Sequence, residues 1–281
     1  MIYFITVNYY STELISQLIR SFPKISQTPY RLLIVNNSPK DITINQLKSD
    51  SVLIIESLTN SGFGSACNLG LNWVYSQDPN GIVWMINPDA YLLNNSIEKV
   101  ENFCHEHPKI SIAGTIIYTE GDTIWFAGGI FIPTTGDIIS KEYLDTSPDT
   151  KYIESEWVSG CSLIVNLKNF PSCPEFDPIY FLYYEDFDFC KRYANQGHLV
   201  VIASQIFIVH QPSSITNKNI INKLKYSTHS YLITIHKYAN IEVLLLRITR
   251  ILLHAIILLP IKPQMAIGKI YGLLLYLKQQ I

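Results

Sequence analysis

Ile2-Tyr3-Phe4-Ile5-Thr6-Val7 is an apolar run that ends in Asn8-Tyr9-Tyr10-Ser11, and Thr12–Phe22 follows with Leu14, Ile15, Leu18, Ile19 and Phe22 at helical spacing. The succession of strand, polar turn and helix recurs downstream. Arg31–Val35 is a second strand and stops at Asn36-Asn37-Ser38-Pro39. A third, Val52–Ile55, leads through Asn60-Ser61-Gly62-Phe63-Gly64 into a helix carrying Ala66, Leu69, Leu71 and Trp73. A fourth, Ile82–Ile86, stops at Asn87-Pro88-Asp89 before a helix over Ser96–His105. Strands alternating with helices predict an α/β fold, a mixed, mostly parallel sheet flanked by helices. In open α/β sheets ligands bind beyond the carboxyl ends of the strands. Asn8, Asn36, Asn60 and Asn87 all fall there. One such Asn suits a turn; four at successive strand ends suggest a polar binding rim.

From Ile110 the pattern changes. Residues 110–166 read as β-hairpins, with turns at Gly121, Gly128-Gly129 and Gly136 and apolar anchors at Trp125 and Trp157. Strands over Leu199–Ala203 and Ile206–Val209 then end at His210-Gln211-Pro212. Between these regions lies Tyr180-Phe181-Leu182-Tyr183-Tyr184-Glu185-Asp186-Phe187-Asp188-Phe189-Cys190. A carboxylate beside apolar surface loses hydration, so three acids among rings mark either a site or the acid-rich start of a helix. Lys191 and Arg192 follow, and Gly197 closes the segment.

The chain has 281 residues, 48% hydrophobic and 16% charged, enough for one large domain and an appendage and incompatible with disorder. Its net charge of −2 conceals a split. Residues 1–188 hold 22 of the 23 acids and 10 of the 21 bases, a net −12; the last 93 residues hold 11 bases and one acid, Glu242, a net +10. A basic, apolar tail on an acidic body points to an anionic surface as partner, not to nucleic acid. The five cysteines form no CxxC pair, which predicts reduced thiols in a cytosolic protein. The first residues lack the charged segment of a signal peptide.

The tail is helical from Ile220. Ile241–Leu259 is long and apolar, yet Arg247, Arg250 and His254 interrupt it and lie within about 60° of one another on a helix wheel. That pattern predicts a helix lying in the headgroup plane rather than one crossing the bilayer, with a core or dimer helix as the alternative. Pro260 and Pro263 end it, and Ala266–Lys278 reads as a second such helix. The expected division is a body over 1–214 and a tail over 215–281.

The ordered set Asn8-Tyr9, Asn36-Asn37-Ser38, Asn60-x-Gly62-Phe63-Gly64-x-Ala66-x-Asn68, Asn87-Pro88-Asp89, Trp157-Val158-Ser159-Gly160, Phe176-Asp177-Pro178, Glu185-Asp186-Phe187-Asp188 and His210 resembles the family-2 glycosyltransferases of the A-type nucleotide-diphospho-sugar transferase fold. It looks most like the bacterial rhamnosyltransferase subgroup that builds lipid-linked O-antigen and capsule repeats. The resemblance implies an inverting transfer from a nucleoside-diphospho-sugar, dTDP-L-rhamnose first and a UDP-sugar second, to a polyprenyl-diphosphate-linked saccharide at the cytoplasmic membrane face.

The resemblance also implies roles for individual residues. Val7, Asn8, Tyr9, Asn36, Asn60, Gly62, Phe63, Asn68, Asn87 and Asp89 would meet the nucleotide, and Trp157, Ser159, Gly160 and Glu185 the sugar and acceptor. Asp186, paired with Glu185, would be the base. Asp89 and His210 would hold Mn²⁺ or Mg²⁺ against the diphosphate. The family's Asp-x-Asp stands here as Asn87-Pro88-Asp89, one charge short. Asp188 lies about 200° from Asp186 on a helix and is expected to support rather than react. The alternative class is a catalytically silent, membrane-bound glycan- or nucleotide-binding protein. There is no GxGxxG or Walker A loop for dinucleotide or ATP chemistry.

Overall fold

A computed structural model describes residues 1–93, 95–143, 150–211 and 219–279. The chain order is β1 (Ile2–Asn8), α1 (Thr12–Ser21), β2 (Tyr30–Asn36), β3 (Val52–Glu56), α2 (Phe63–Gln77), β4 (Ile82–Ile86), β5 (Ala90–Leu92) and α3 (Ser96–Glu106). Then come β6 (Ile110–Tyr118), β7 (Ile124–Phe126), β8 (Gly129–Ile132), β9 (Asp137–Ser140), β10 (Tyr152–Glu154) and β11 (Ser162–Asn166). The last elements are α4 (Glu185–Ala194), β12 (Leu199–His210), α5 (Ile220–Tyr238), α6 (Ile241–Leu258) and α7 (Pro263–Gln279).

The main sheet runs β10-β12-β6-β11-β4-β1-β2-β3, with β5 on β12 and β7 on β6. The strands β3, β2, β1, β4, β6 and β12 share one direction, and β11 runs against its neighbours β4 and β6. The α/β expectation therefore holds. The inner strands are buried along nearly their whole length because helices cover both faces, which is why they read as unbroken apolar runs.

Two expectations are corrected. Residues 110–166 are not a set of hairpins alone: Ile110–Tyr118 and Ser162–Asn166 are central strands of the main sheet, and only β8–β9 forms a separate hairpin. The two strands expected over 199–209 are one, with a register irregularity between Ala203 and Phe207 that absorbs the polar pair Ser204-Gln205. The five cysteines are unpaired thiols.

The expected division between 214 and 215 lies outside the described residues, as does Pro212. The tail packs into the body as part of its second apolar cluster. Leu232, Ile233 and Ile235 of α5, Val243 and Leu244 of α6 and Leu273 and Tyr276 of α7 join Phe131, Tyr180 and Phe187 there. A Cβ on Gly272 of α7 would stand 2.4 Å from the Lys225 carbonyl, so only glycine lets α7 approach α5 this closely. The stripe on α6 is not wholly open: Arg247 is ion-paired with Asp137 and donates to the Thr135 carbonyl at 2.6 Å. Among the described residues no helix is long and apolar enough to cross a membrane.

Candidate active site

The carboxyl ends of β1, β2, β4 and β12, and the loops after β3 and before β11, open on one side of the sheet into a cavity of about 660 Å³. Val7, Tyr9, Asn60, Gly62, Phe63, Asn87, Asp89, Ser159, Gly160, Glu185, Asp186 and His210 line it, so most of the expected residues converge. Four do not: Asn8, Asn36, Asn68 and Trp157.

Asn8 and Asn36 turn away from the cavity and hold the strand ends together. The Asn8 amide donates to Asn36 Oδ1 and Asp41 Oδ2, each at 3.0 Å, and that of Asn36 donates to Glu56 Oε2 at 2.8 Å. The neighbour Asn37 lines the cavity instead. It donates to Asn60 Oδ1 at 3.0 Å and the Gly62 carbonyl at 3.1 Å and accepts from the Ser61 N–H at 3.0 Å. Since side chains alternate along an extended chain, a one-residue step decides which Asn faces the cavity. Asn68 is paired reciprocally with the Phe176 backbone, both bonds 2.8 Å, and so fastens α2 to the segment before α4. Trp157 packs on Phe126, centroids 4.9 Å apart, behind the site.

The 60–64 loop, already held by Asn37, is also fixed by a close backbone approach. Gly62 has φ +88°, and a Cβ there would lie 2.1 Å from the Phe181 carbonyl, which accepts the Phe63 N–H at 3.0 Å. Glycine is required both for the backbone conformation and for the approach. The loop after β3 is thereby bound to the aromatic run before α4.

That run ends in Tyr183 and Tyr184, both left-handed at φ +69° and +63°, and turns directly into the helix bearing the acids. Consecutive non-glycine residues in this region are costly and persist only where packing over-determines them. The turn gives the acids three separate fates. Asp186 is half-buried at the cavity. Its Oδ2 accepts the Gly160 N–H and its Oδ1 the Phe187 N–H, each at 2.8 Å. Burial raises its pKa, and those donors oppose the rise. Glu185 lies deeper, with Oε2 lacking a partner. Burial, and then the nearby Asp186 charge, push it from 4.5 up to about 8. Asp188 is fully buried and accepts from Arg192 at 2.6 Å, Tyr238 at 2.9 Å and Lys237 at 3.0 Å. It is a buried hub joining α4 to α5 and does not line the cavity.

The Glu185 environment sets a pH dependence. Between about 4.5 and about 8 the unfolded chain has lost this proton and the folded chain keeps it. Folding stability therefore declines as pH rises across that window. Glu185→Gln keeps the shape without the ionisation. Its melting temperature is expected to match wild type near pH 5 and to exceed it by a few °C near pH 8. A gap that is equal at both pH values would show that Glu185 does not titrate this way.

Across the cavity, His210 Nε2 lies 3.1 Å from Asp89 Oδ1, and the Asp89 carbonyl accepts the Gln211 N–H at 2.9 Å. With Nε2 donating to Asp89, Nδ1 presents a lone pair, and this buried atom has no hydrogen-bond partner. Among the described residues no three His, Cys, Asp or Glu side chains converge. Asp89 Oδ1 and His210 Nε2 are the two donors close enough to share one ion, and Nε2 would have to give up its hydrogen bond to Asp89 to do so. Mg²⁺ or Mn²⁺ at phosphate sites needs only one or two protein ligands, with substrate oxygens completing the shell.

Several lining residues went unrecognised in the sequence: Tyr10, Trp125, Tyr183, Asn219, Lys223 and Tyr226. The last three are the N-cap of α5 and two residues of its first turns, whose sequence offers a signal in retrospect: 219, 222, 223 and 226 lie along one side, and that side is polar.

The family whose model matches this chain is described as Glycosyl transferase family 2, over residues 3–162. No curated protein matches. Among solved structures the chain resembles GalNAc-T7, crystallised with UDP, GalNAc and Mn²⁺, at TM-score 0.61 and 12% identity over 84% of this chain and 47% of that one. It also resembles S. aureus TarS, residues 1–349, at TM-score 0.54 and 15% identity over 83% of this chain and 64% of that one. It therefore spans less than two thirds of either protein, and at such identities the likeness is one of fold. The family match covers more than half of the 281 residues, and by it the chain belongs to glycosyltransferase family 2.

Proposed function

We propose that this protein is an inverting glycosyltransferase that moves a sugar from a nucleoside-diphospho-sugar to a hydroxyl of a lipid-linked saccharide at the cytoplasmic face of the membrane. The observation that carries the proposal is the half-buried Asp186 facing the same cavity as Asn87, Asp89 and His210, its carboxylate aimed by two backbone N–H groups. Asp186 takes the proton of the acceptor hydroxyl as the oxygen attacks the anomeric carbon and the bond to the diphosphate breaks. Gly160, which donates to Asp186, fixes the direction of that transfer. Asp89 and His210 would hold Mn²⁺ or Mg²⁺, which when bound would neutralise charge on the leaving diphosphate. Val7, Tyr9, Asn37 and Asn60, which line the cavity, would meet the nucleoside, with the 46% exposed Tyr9 as a stacking ring.

The first donor candidate is dTDP-L-rhamnose, on the motif resemblance to rhamnosyltransferases; the UDP of the GalNAc-T7 structure makes a UDP-sugar the second. The test is a thermal-shift series of dTDP- and UDP-sugars with Mn²⁺ or with EDTA, followed by donor hydrolysis. A donor is expected to raise the melting temperature, more with Mn²⁺. If no sugar nucleotide does so, the proposal fails; binding without hydrolysis or transfer would favour the silent binding protein.

The membrane component rests on α6 and α7. Leu245, Leu246, Leu252, Leu253, Ile256 and Ile257 form one exposed apolar face of α6, bordered by the exposed Arg250 and His254. Such a face beside cations suits anionic headgroups, each cation contributing about 1 kcal/mol. The full chain is expected to sediment with anionic vesicles at low salt and less at high salt. Replacing Leu253 and Ile256 by Asp should release it without loss of donor hydrolysis. Indifference of the wild type to vesicles would leave this face to a second copy of the chain.

A further inference from the structure

Helix α5 brings Lys223 to the cavity, the one Lys or Arg among the described residues that line it. The carboxyl and imidazole groups there are those of Asp89, Glu185, Asp186 and His210. Asn219, Asn222, Lys223 and Tyr226 stand at i, i+3, i+4 and i+7, one face of the helix. That face is held over the site by Tyr226, stacked on Phe181 at 4.3 Å between centroids, and by the Ser230 hydroxyl, which donates to the Leu182 carbonyl at 2.8 Å. Phe181 is the residue whose carbonyl fixes the Phe63 N–H of the loop after β3. Lys223 thus stands one turn from an aromatic pair that is itself fastened to the loop after β3.

A diphosphate is strongly anionic, and it would enter a cavity lined by carboxyl groups. With Asn at position 87, Asp89 is the sole carboxylate at the end of β4, so a divalent ion there is held by one charge fewer than in an Asp-x-Asp site. A lysine ammonium is suited to compensate a phosphate as a point charge. We infer that Lys223, on the first turn of α5, binds the donor diphosphate and supplies to the leaving group positive charge that the single carboxylate of Asn87-Pro88-Asp89 cannot gather through a metal alone. The inference rests on the nucleotide-sugar reading and deepens it, making α5 part of the donor site.

The experiment is calorimetric titration of the full-length protein with UDP and dTDP, in Mn²⁺ and in EDTA, with uridine and thymidine followed by ligand-observed NMR. Lys223→Met is expected to lose about ten- to hundredfold in diphosphate affinity, as for a charge-assisted hydrogen bond, with nucleoside affinity unchanged. The loss should be at least as large in EDTA as in Mn²⁺. Lys223→Arg should retain most of the affinity. Lys225→Met is the control: Lys225 does not line the cavity, and its ammonium lies 5.0 Å from the Tyr226 ring centroid. Wild-type diphosphate affinity in Lys223→Met, or an equal loss for the nucleosides, overturns the inference and leaves the glycosyltransferase reading standing. If the wild type binds neither nucleoside diphosphate under either condition, both fall together.

Discussion

Asp186→Asn is expected to fold, to bind the sugar nucleotide and to lose transfer by about 10²–10⁴-fold, the usual worth of a positioned general base. The asparagine keeps one oxygen acceptor for the Gly160 N–H, now 2.8 Å from Oδ2, so the loop before β11 stays in place, while the Phe187 N–H loses its side-chain acceptor. What it lacks is a group that can take a proton. Burial raises the Asp186 pKa from its ordinary 3.8, so wild-type kcat should rise with pH along an acidic limb whose midpoint lies above that value. In Asp186→Asn the limb should vanish with the activity. Steady-state turnover across pH 4–9 separates this from the rival base. A Glu185→Gln enzyme that has lost both turnover and the limb, beside an active Asp186→Asn, would move the role to Glu185.

The sequence could name the segment but not divide its labour. Glu185, Asp186 and Asp188 are adjacent acids in one aromatic run, and helical angles separate only Asp188 from Asp186. The depth of Glu185 and the aim of Asp186 follow from Tyr183 and Tyr184 in the left-handed region, a backbone choice that residue type argues against. The strand ends were legible because apolar runs and polar stops are local. The exchange of Asn36 for Asn37 was not, because it depends on which face of β2 meets the loop after β3. Asn68 was legible as a residue of the site region, but its task is a cross-link to Phe176. The least legible feature was α5. Its apolar and basic composition matches that of the helices after it, and only long-range packing shows that it walls the cavity while α6 turns an apolar face outward.

That packing gives the largest expected stability effect. Asp188 has no exposure, and Arg192, Lys237 and Tyr238 all donate to it. Lys237 also reaches Asp177 at 2.6 Å, so one buried carboxylate joins α4, the segment before it and the end of α5. Removing one partner of a buried ion pair strands the others, at a typical cost of about 3–5 kcal/mol. Arg192 and Lys237 are 29% and 31% exposed and recover some hydration, which places Asp188→Ala near the lower end of that range. In a chain of this size the melting temperature should fall by on the order of 6–12 °C. Lys237→Met removes a cation and leaves Asp188 with Arg192 and Tyr238, so it should cost less than Asp188→Ala. Because the hub lies behind α4 and does not line the cavity, Asp188→Ala should keep measurable turnover well below its melting temperature, with the acidic limb of kcat unmoved. Asp186→Asn should show the reverse, near-normal melting and no turnover. A stable, inactive Asp188→Ala would mean that Asp188 acts on the reaction, and the division between the two aspartates would have to be redrawn.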